Sequence, residues 1–190
     1  MMSKEHTGDL QISWDDYHRS IESLARKVAD SQWKFDQVLC LARGGIRPGD
    51  VFSRLFNVPL AILSVSPYRE AGGTQRGDLL IANSISSTKA NLARRLLLID
   101  DLADSGITLQ RVKEWLFVQH PEVQELRSAV IWYKADSLER PDYYEHYVAD
   151  NPWIHQPFES YDQMTLDDLK QPNYTGIANG RYRTLEQNLE

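Results

Sequence analysis

Short apolar runs alternate with amphipathic segments along most of the chain. Five runs have the length and residue types of buried strands: 38–42, 60–65, 96–99, 128–133 and 144–148. Between these runs, periodic apolar positions predict a helix over about 48–56 and another that starts near Gly106. Short apolar strands that alternate with helices are typical of a parallel sheet covered on both faces. The pattern therefore predicts an α/β fold with a mainly parallel sheet flanked by helices.

A further helix is predicted near the amino end of the chain. Ser13 and Asp16 have the spacing of a capping pair. The apolar residues that follow fall on one helical stripe, namely Trp14, Tyr17, Ile21, Leu24 and Val28. We expect this stripe to pack against a core.

Two polar segments depart from this alternation of predicted strands and helices. Residues 67–91 are rich in glycine and carry the basic residues Arg69, Arg76 and Lys89. A long polar segment inside a compact domain is often a lid over a site, and the alternative is a surface loop without function. The tail, 161–190, is expected to form an arm on a neighbouring copy or to fray. We expect a single domain over 1–190, with its core at about 13–160.

Composition narrows the classes of function. The 190 residues carry a net charge of −6, which disfavours non-specific nucleic-acid binding because that requires a basic face. The sequence has no apolar run long enough to cross a bilayer, and residues 1–9 do not resemble a signal peptide. The single cysteine, Cys40, lies in an apolar run and is expected to be an inert core residue. We therefore expect a cytoplasmic protein without membrane or nucleic-acid partners.

The most informative stretch is LLIDDLADSGITL, residues 97–109. A buried strand is predicted to deliver Asp100 and Asp101 to its exposed end, before a tight loop and a helix. The first N–H groups of that helix, with the hydroxyls of Ser105 and Thr108, suit a phosphate. The two carboxylates suit a diol or hydrated Mg²⁺, and a ribose 5-phosphate presents both kinds of group. The alternative, that the aspartates only end a strand and cap a helix, explains less of the pattern.

A second loop candidate follows the first predicted strand, in the run Leu-Ala-Arg-Gly-Gly at 41–45. The backbone N–H groups of Gly44 and Gly45 can approach an anion closely because no side chain intervenes. Arg43 adds a positive charge. Ligands of open α/β sheets bind at the carboxyl ends of the strands, so we expect this loop to lie beside the Asp-Asp segment.

The run 97–109 resembles the signature of type I phosphoribosyltransferases, which bind phosphoribosyl pyrophosphate (PRPP), with Ser105 where threonine is more common. The run 41–45 is similar to that family's pyrophosphate loop, in which a non-proline cis peptide is often found, here expected between Ala42 and Arg43. The resemblance implies two sets of binding residues. The PRPP set is Asp100, Asp101, Ala103, Asp104, Ser105, Gly106, Ile107 and Thr108; the pyrophosphate set is Ala42, Arg43, Gly44 and Arg76.

Residues 13–160 are similar in order to bacterial xanthine-guanine phosphoribosyltransferases, notably in the run WIHQPFE at 153–159. The predicted lid and tail depart from that pattern. The resemblance implies that Lys134, Trp153 and Ile154 bind the base and that Asp104 is the general base. It also implies a Mg²⁺ cofactor, held through Asp101 and, by way of water, Glu159.

The implied activity is Mg²⁺-dependent transfer of ribose 5-phosphate from PRPP to a 6-oxopurine, in purine salvage, by a homodimer or homotetramer. Guanosine tetraphosphate (ppGpp) is an expected inhibitor. Two alternatives stay open. One is a sensor of the same fold that binds PRPP or a guanine nucleotide without transfer, and the other is an enzyme acting on a different base. The presence of Asp104 and of the base-stacking residue Trp153 favours an enzyme over a sensor, and the resemblance at Lys134 and Trp153 favours a 6-oxopurine over another base.

Overall fold

A computed structural model describes residues 8–67 and 79–171, together with the backbone of two strands in the tail. Arg76 and most of the predicted lid lie outside the described residues. Among the residues that are described, no helix is long and apolar enough to cross a membrane.

The elements follow one another in this order: β1 (Leu10–Gln11), α1 (Trp14–Asp30), β2 (Gln37–Ala42), α2 (Ile46–Phe56), β3 (Leu60–Pro67), β4 (Leu79–Ile81), β5 (Ser86–Ser87), β6 (Arg95–Ala103), α3 (Ile107–Gln119), β7 (Glu125–Lys134), β8 (Tyr143–Val148), β9 (Ile154–His155), a 3-10 helix (Glu159–Asp162), α4 (Leu166–Leu169), β10 (Tyr174–Ala178) and β11 (Arg181–Thr184). All five predicted strands and all three predicted helices are confirmed. The chain forms two compact units, one of residues 21–149 and one of the segments before and after them.

The unit of residues 21–149 contains the main sheet, in the strand order β4-β3-β2-β6-β7-β8. The pairs β3/β2, β2/β6, β6/β7 and β7/β8 are all parallel, as predicted. β4 and β5 were not predicted, and both pair with β3 in the antiparallel sense. They lie in the second half of the segment that we assigned to a lid, so that part of the chain extends the sheet.

The apolar runs form strands because both faces of the sheet are covered. Val38, Leu39 and Cys40 of β2 are fully buried, and so are the residues Leu96–Ile99 of β6. Helix α3 buries Leu109, Val112 and Leu116 in one core cluster with Leu39, Leu96 and Leu98 of the sheet. Burial raises the pKa of the Cys40 thiol to about 12, which agrees with the prediction of an inert core cysteine.

Strand β6 is longer than the sequence pattern predicted. We expected the strand to end at Ile99, but pairing with β7 continues through Leu102↔Trp132 and Ala103↔Tyr133. Asp100 and Asp101 are therefore strand residues rather than the first residues of a loop. The strand continues because β7 is a long apolar partner whose ladder satisfies the backbone groups on both sides of the aspartates.

The other unit contains the parallel pair β1/β9 and the antiparallel pair β10/β11. The N–H of Leu10 donates to the Trp153 carbonyl at 2.8 Å, and the N–H of Ile12 donates to the His155 carbonyl at 3.0 Å. In the predicted tail, Thr165 and Asp168 form a capping box at the start of α4. The tail thus contains regular elements before residue 185. A single domain over 1–190 remains a prediction.

Candidate functional site

Two loops lie at the carboxyl edge of the sheet, after the neighbouring parallel strands β2 and β6. The first loop (42–45) connects β2 to α2, and the second loop (104–106) connects β6 to α3. Cys40 of β2 is the register partner of Ile99 of β6, so the two strands reach this edge side by side. The structure therefore brings together the two segments that the sequence singled out.

The first loop has an unusual backbone conformation and makes a hydrogen bond back to strand β2. The peptide bond between Ala42 and Arg43 is cis, which confirms the expectation. The N–H of Gly45 donates to the Leu41 carbonyl at 2.9 Å. Gly45 precedes α2 and forms no side-chain cap, so the first turn of the helix faces the loop without a capping side chain. Arg43 is exposed on this loop.

Asp101 and Gly44 form the contact between strand β6 and the first loop. A Cβ added at Gly44 would overlap the carboxylate of Asp101. The glycine thus leaves room for a carboxylate to lie directly against the loop backbone. This contact places a carboxylate, a possible metal ligand, beside the backbone at Gly44. The N–H of Gly45 is already donated to Leu41, so Gly44 is the glycine of this loop whose backbone is available to an anion.

The carboxyl group of Asp100 is perturbed by its surroundings. Its pKa is raised well above the ordinary value, chiefly because burial removes water from the carboxylate and secondly because Asp101 repels its charge. Its Oδ1 accepts a hydrogen bond from the N–H of Asp101 at 2.9 Å. A cation or a hydrogen-bonding diol bound here would favour ionised Asp100, whereas burial of the carboxyl group disfavours it.

In the second loop Asp104 and Ser105 are exposed to solvent, and Gly106 is buried. Gly106 precedes α3 with φ of 75°, a left-handed conformation that a side chain would strain. The helix has no side-chain cap, so Asp104 does not cap it. The Ser105 hydroxyl lies 3.4 Å from the N–H of Ile107, and Thr108 follows half-buried in the first turn. Ala103, buried at the end of β6, fixes the start of the loop.

Lys134 and Asp104 form an ion pair at the same edge. Nζ of Lys134 lies 3.1 Å from Oδ1 of Asp104, and the two side chains are 6% and 60% exposed. A lysine this buried is rare unless it is paired. The ammonium is therefore held at the end of β7 by a carboxylate that still faces solvent. Lys134 is not a solvated strand end.

Three of the implied site residues lie in the other unit. Trp153 is 62% exposed, so it is not a core aromatic, while Ile154 is buried in β9. Glu159 begins the 3-10 helix. Arg76 lies outside the described residues.

A family model described as the phosphoribosyl transferase domain matches residues 13–163. The match covers both loops, the acidic pair and Lys134. This chain belongs to the phosphoribosyltransferase family. The resemblance noted in the sequence is thereby confirmed, and the protein is an enzyme of that class.

Relatives of this phosphoribosyltransferase agree with the assignment. Xanthine-guanine phosphoribosyltransferase of Idiomarina loihiensis is 26% identical over 151 residues, which cover 79% of this chain and 86% of that protein. A purine phosphoribosyltransferase structure from Pyrococcus horikoshii Ot3 matches with a TM-score of 0.64 and 27% identity, covering 78% of this chain and 91% of the other. A hypothetical protein of Neisseria gonorrhoeae with bound ppGpp shares the fold, at 19% identity and a TM-score of 0.63, covering 87% and 96% of the two chains.

The sequence missed one segment of this phosphoribosyltransferase that touches the second loop. The connection between β7 and β8, residues 135–142, lies against Gly106, where an added Cβ would meet Ser137 and the backbone of Leu138. Such a contact joins residues about thirty positions apart and leaves no local pattern. The Ser-Gly pair at 105–106 is the one sequence feature that points to this packing. A glycine there suggests a left-handed backbone conformation and another segment packed closely against it.

A cavity of about 400 Å³ lies elsewhere in the phosphoribosyltransferase, between β4 and α3. Its lining includes Leu79, Ile81, Arg111 and Trp115, and none of the implied site residues. The described residues hold no cluster of three or more metal-ligating side chains. The candidate site is therefore defined by the converging loops and not by cavity volume or a preformed metal cage.

Proposed function

We propose that the protein catalyses the Mg²⁺-dependent transfer of ribose 5-phosphate from PRPP to a 6-oxopurine, releasing pyrophosphate and serving purine salvage. The observation that carries this proposal is the Lys134–Asp104 pair. It places a buried ammonium donor and a solvent-facing carboxylate next to a loop suited to a phosphate. A 6-oxopurine offers a carbonyl oxygen to the first group and a ring N–H to the second.

PRPP is proposed to bind with its 5-phosphate at the second loop and its pyrophosphate at the first loop. The second loop and the first turn of α3 offer backbone N–H groups and the hydroxyls of Ser105 and Thr108 to the 5-phosphate. Asp100 and Asp101 lie near the end of β6, just before the second loop, and suit the ribose diol. The first loop offers Arg43 and the Gly44 backbone to the pyrophosphate, and Arg76 is proposed to close over it.

Magnesium fits the donors that are present. Mg²⁺ keeps several waters and is held in such sites by one or two carboxylates and by substrate oxygens, so it needs no cage of protein ligands. Asp101 would hold it at the sheet edge, and Glu159 through water. When bound, the ion would offset negative charge on the departing pyrophosphate.

The base is proposed to lie against Lys134. Its ammonium donates to the 6-oxo group, whereas the 6-amino group of adenine presents donors and would leave the lysine without an acceptor. The family resemblance is the reason for assigning stacking of the base to Trp153, whose ring is exposed, and recognition of the ring edge to the backbone at Ile154. The names of the Idiomarina and Pyrococcus relatives also favour a purine.

The reaction is a displacement at the anomeric carbon of PRPP. A ring nitrogen of the purine forms the new bond to C1, and the C1–oxygen bond to pyrophosphate breaks. Asp104 accepts the proton that the purine loses. The protein contributes mainly by holding the reactants in line and by neutralising the leaving group with Arg43 and the loop N–H groups.

Nucleotide formation from PRPP and Mg²⁺ tests the proposal, with guanine, xanthine, hypoxanthine, adenine and uracil assayed in parallel. Product from at least one 6-oxopurine and none from adenine is expected. Product from adenine or uracil alone would contradict the assigned base.

A sensor of ppGpp or PRPP is the second candidate, favoured by the fold shared with the ppGpp-bound Neisseria protein. Tight ppGpp binding without transfer to any of the five bases would establish it in place of the enzyme. Binding of ppGpp that inhibits measurable transfer would instead make the nucleotide an inhibitor.

A further inference from the structure

The β7–β8 connection (135–142) is hydrogen-bonded to the second loop. The N–H of Leu138 donates to the Ser105 carbonyl at 2.9 Å. Because a peptide group is planar and trans, the Ser105 carbonyl and the Gly106 N–H point in opposite directions. The hydrogen bond from Leu138 therefore directs the Gly106 N–H away from the β7–β8 connection. That N–H is one of the donors assigned above to the 5-phosphate.

The β7–β8 connection also fills the space beside Gly106. An added Cβ there would lie 2.5 Å from the Glu139 nitrogen and 2.9 Å from the Leu138 nitrogen. Ser137 tightens the same turn, since its hydroxyl donates to the Glu139 carbonyl at 2.9 Å. The left-handed Gly106 is thus supported by a second backbone packed directly against it.

An ion pair ties this connection to the helix that follows the second loop. Nζ of Lys113, on α3, donates to Oε1 of Glu139 at 2.7 Å and lies 3.7 Å from Oδ2 of Asp142. The side chains of Lys113 and Glu139 are largely shielded from solvent. Asp142 is itself fixed, because its Oδ2 accepts hydrogen bonds from the N–H and the hydroxyl of Ser128.

We propose that Lys113 and Glu139 form a positioning clamp that holds the second loop in the conformation required to bind the 5-phosphate of PRPP. The clamp rests on the proposed function, since it assumes that the second loop binds a phosphate. Neither residue belongs to the set assigned above to the substrate. Lys113 anchors Glu139, the Glu139 backbone and Leu138 support Gly106, and the loop N–H groups keep their direction without a bound ligand.

A purely electrostatic role and a positioning role predict different effects of substituting Lys113 and Glu139 on phosphate binding. If the pair acted only through its charge, Lys113→Met would weaken phosphate binding and Glu139→Gln would strengthen it. If the pair acts as a clamp, both substitutions weaken binding. Lys113→Arg keeps an ion pair with Glu139 and is expected to restore most of the affinity.

The test measures the dissociation constants of two ligands by calorimetry, for the wild type and each variant. Ribose 5-phosphate probes the second loop, and pyrophosphate with Mg²⁺ probes the first. We expect Lys113→Met and Glu139→Gln each to weaken ribose 5-phosphate binding about tenfold, the usual effect of losing one charged hydrogen bond. Pyrophosphate affinity and kcat should change by less than about twofold.

Asp36→Asn is the matched control. Asp36 pairs with Arg95 at 2.8 Å at the start of β6, the opposite end of the strand that leads into the second loop. It should leave both affinities unchanged while affecting thermal stability as much as the clamp variants do. Wild-type protein that binds neither ribose 5-phosphate nor PRPP would overturn the proposed function and the clamp with it. Wild-type binding that Glu139→Gln leaves unchanged or strengthens would overturn the clamp alone.

Discussion

The ammonium of Lys134 lies 3.1 Å from the carboxylate of Asp104, with the lysine buried at the end of β7 and the aspartate open to solvent in the loop after β6. The pair joins the segment proposed to bind the base to the segment proposed to bind the phosphate. A purine that enters between them exchanges an ion pair for two hydrogen bonds. Substitution of either residue should therefore separate base recognition from PRPP binding.

Replacing Asp104 by asparagine should lower kcat by about 10²-fold or more, because an amide cannot accept the purine proton. The dissociation constant for PRPP should change by less than about threefold, because the loop N–H groups are retained. Single-turnover rates and PRPP titrations measure the two effects separately. Asp50→Asn, on the exposed side of α2, is the control. Turnover retained in Asp104→Asn would rule out the general-base role.

Replacing Lys134 by glutamine should raise KM for the 6-oxopurine about 10- to 100-fold, the usual cost of losing a hydrogen bond from a charged donor. KM for PRPP should stay within about threefold. Steady-state kinetics with each substrate varied in turn provide both values. Lys27→Gln removes an ion pair with Glu145 from the same unit and should alter neither KM. An unchanged KM for the base in Lys134→Gln would exclude Lys134 from base recognition.

The two adjacent glycines of the first loop should respond differently to alanine. In Gly44→Ala the new methyl meets only the side-chain carboxylate of Asp101, which can turn aside, so stability should change little while KM for PRPP rises about tenfold. In Gly45→Ala the methyl meets the fixed carbonyls of Ile99 and Leu41, which should cost about 1–3 kcal/mol of stability. Urea unfolding and PRPP kinetics on both variants test the contrast, and equal stability losses would contradict it.

Replacing Asp100 by asparagine should raise the free energy of unfolding near neutral pH. Burial raises the pKa of Asp100 in the folded chain, so its ionisation opposes folding above the unfolded-state value of about 3.8 and not below it. Asparagine does not ionise, and its amide oxygen can still accept the Asp101 N–H. The gain should vanish as the pH falls below about 4.

Urea titrations of both proteins at several pH values measure this difference. Asp100→Asn should also weaken PRPP binding, so the substitution should increase stability and decrease function. A stability gain that persists unchanged below pH 4 would show that ionisation of Asp100 is not its cause.

Most of the fold could be predicted from the sequence because its strands and helices differ in apolar period. Two features could not. Strand β6 continues past Asp100 and Asp101, since pairing with β7 outweighs the usual tendency of charged residues to end a buried strand. The Leu-Leu-Ile of β4 is short and lies beside a polar segment, so it becomes a strand only through its pairing with β3.

The site was predictable where its residues are contiguous. The loops at 42–45 and 104–106 carry local chemistry, and their position after neighbouring strands follows from parallel topology. The close contact of Asp101 with Gly44 and the packing of 137–139 on Gly106 depend on residues far apart in the chain. No periodicity or spacing records such contacts.

Phosphorus-31 NMR of a mixture of PRPP, Mg²⁺, guanine and the protein tests the proposed transfer directly. We expect the PRPP signals to be replaced by those of pyrophosphate and a purine nucleotide in equal amounts, and we expect no nucleotide with adenine in place of guanine. PRPP that stays intact with every 6-oxopurine, or that releases pyrophosphate without forming a nucleotide, would contradict the proposed transfer.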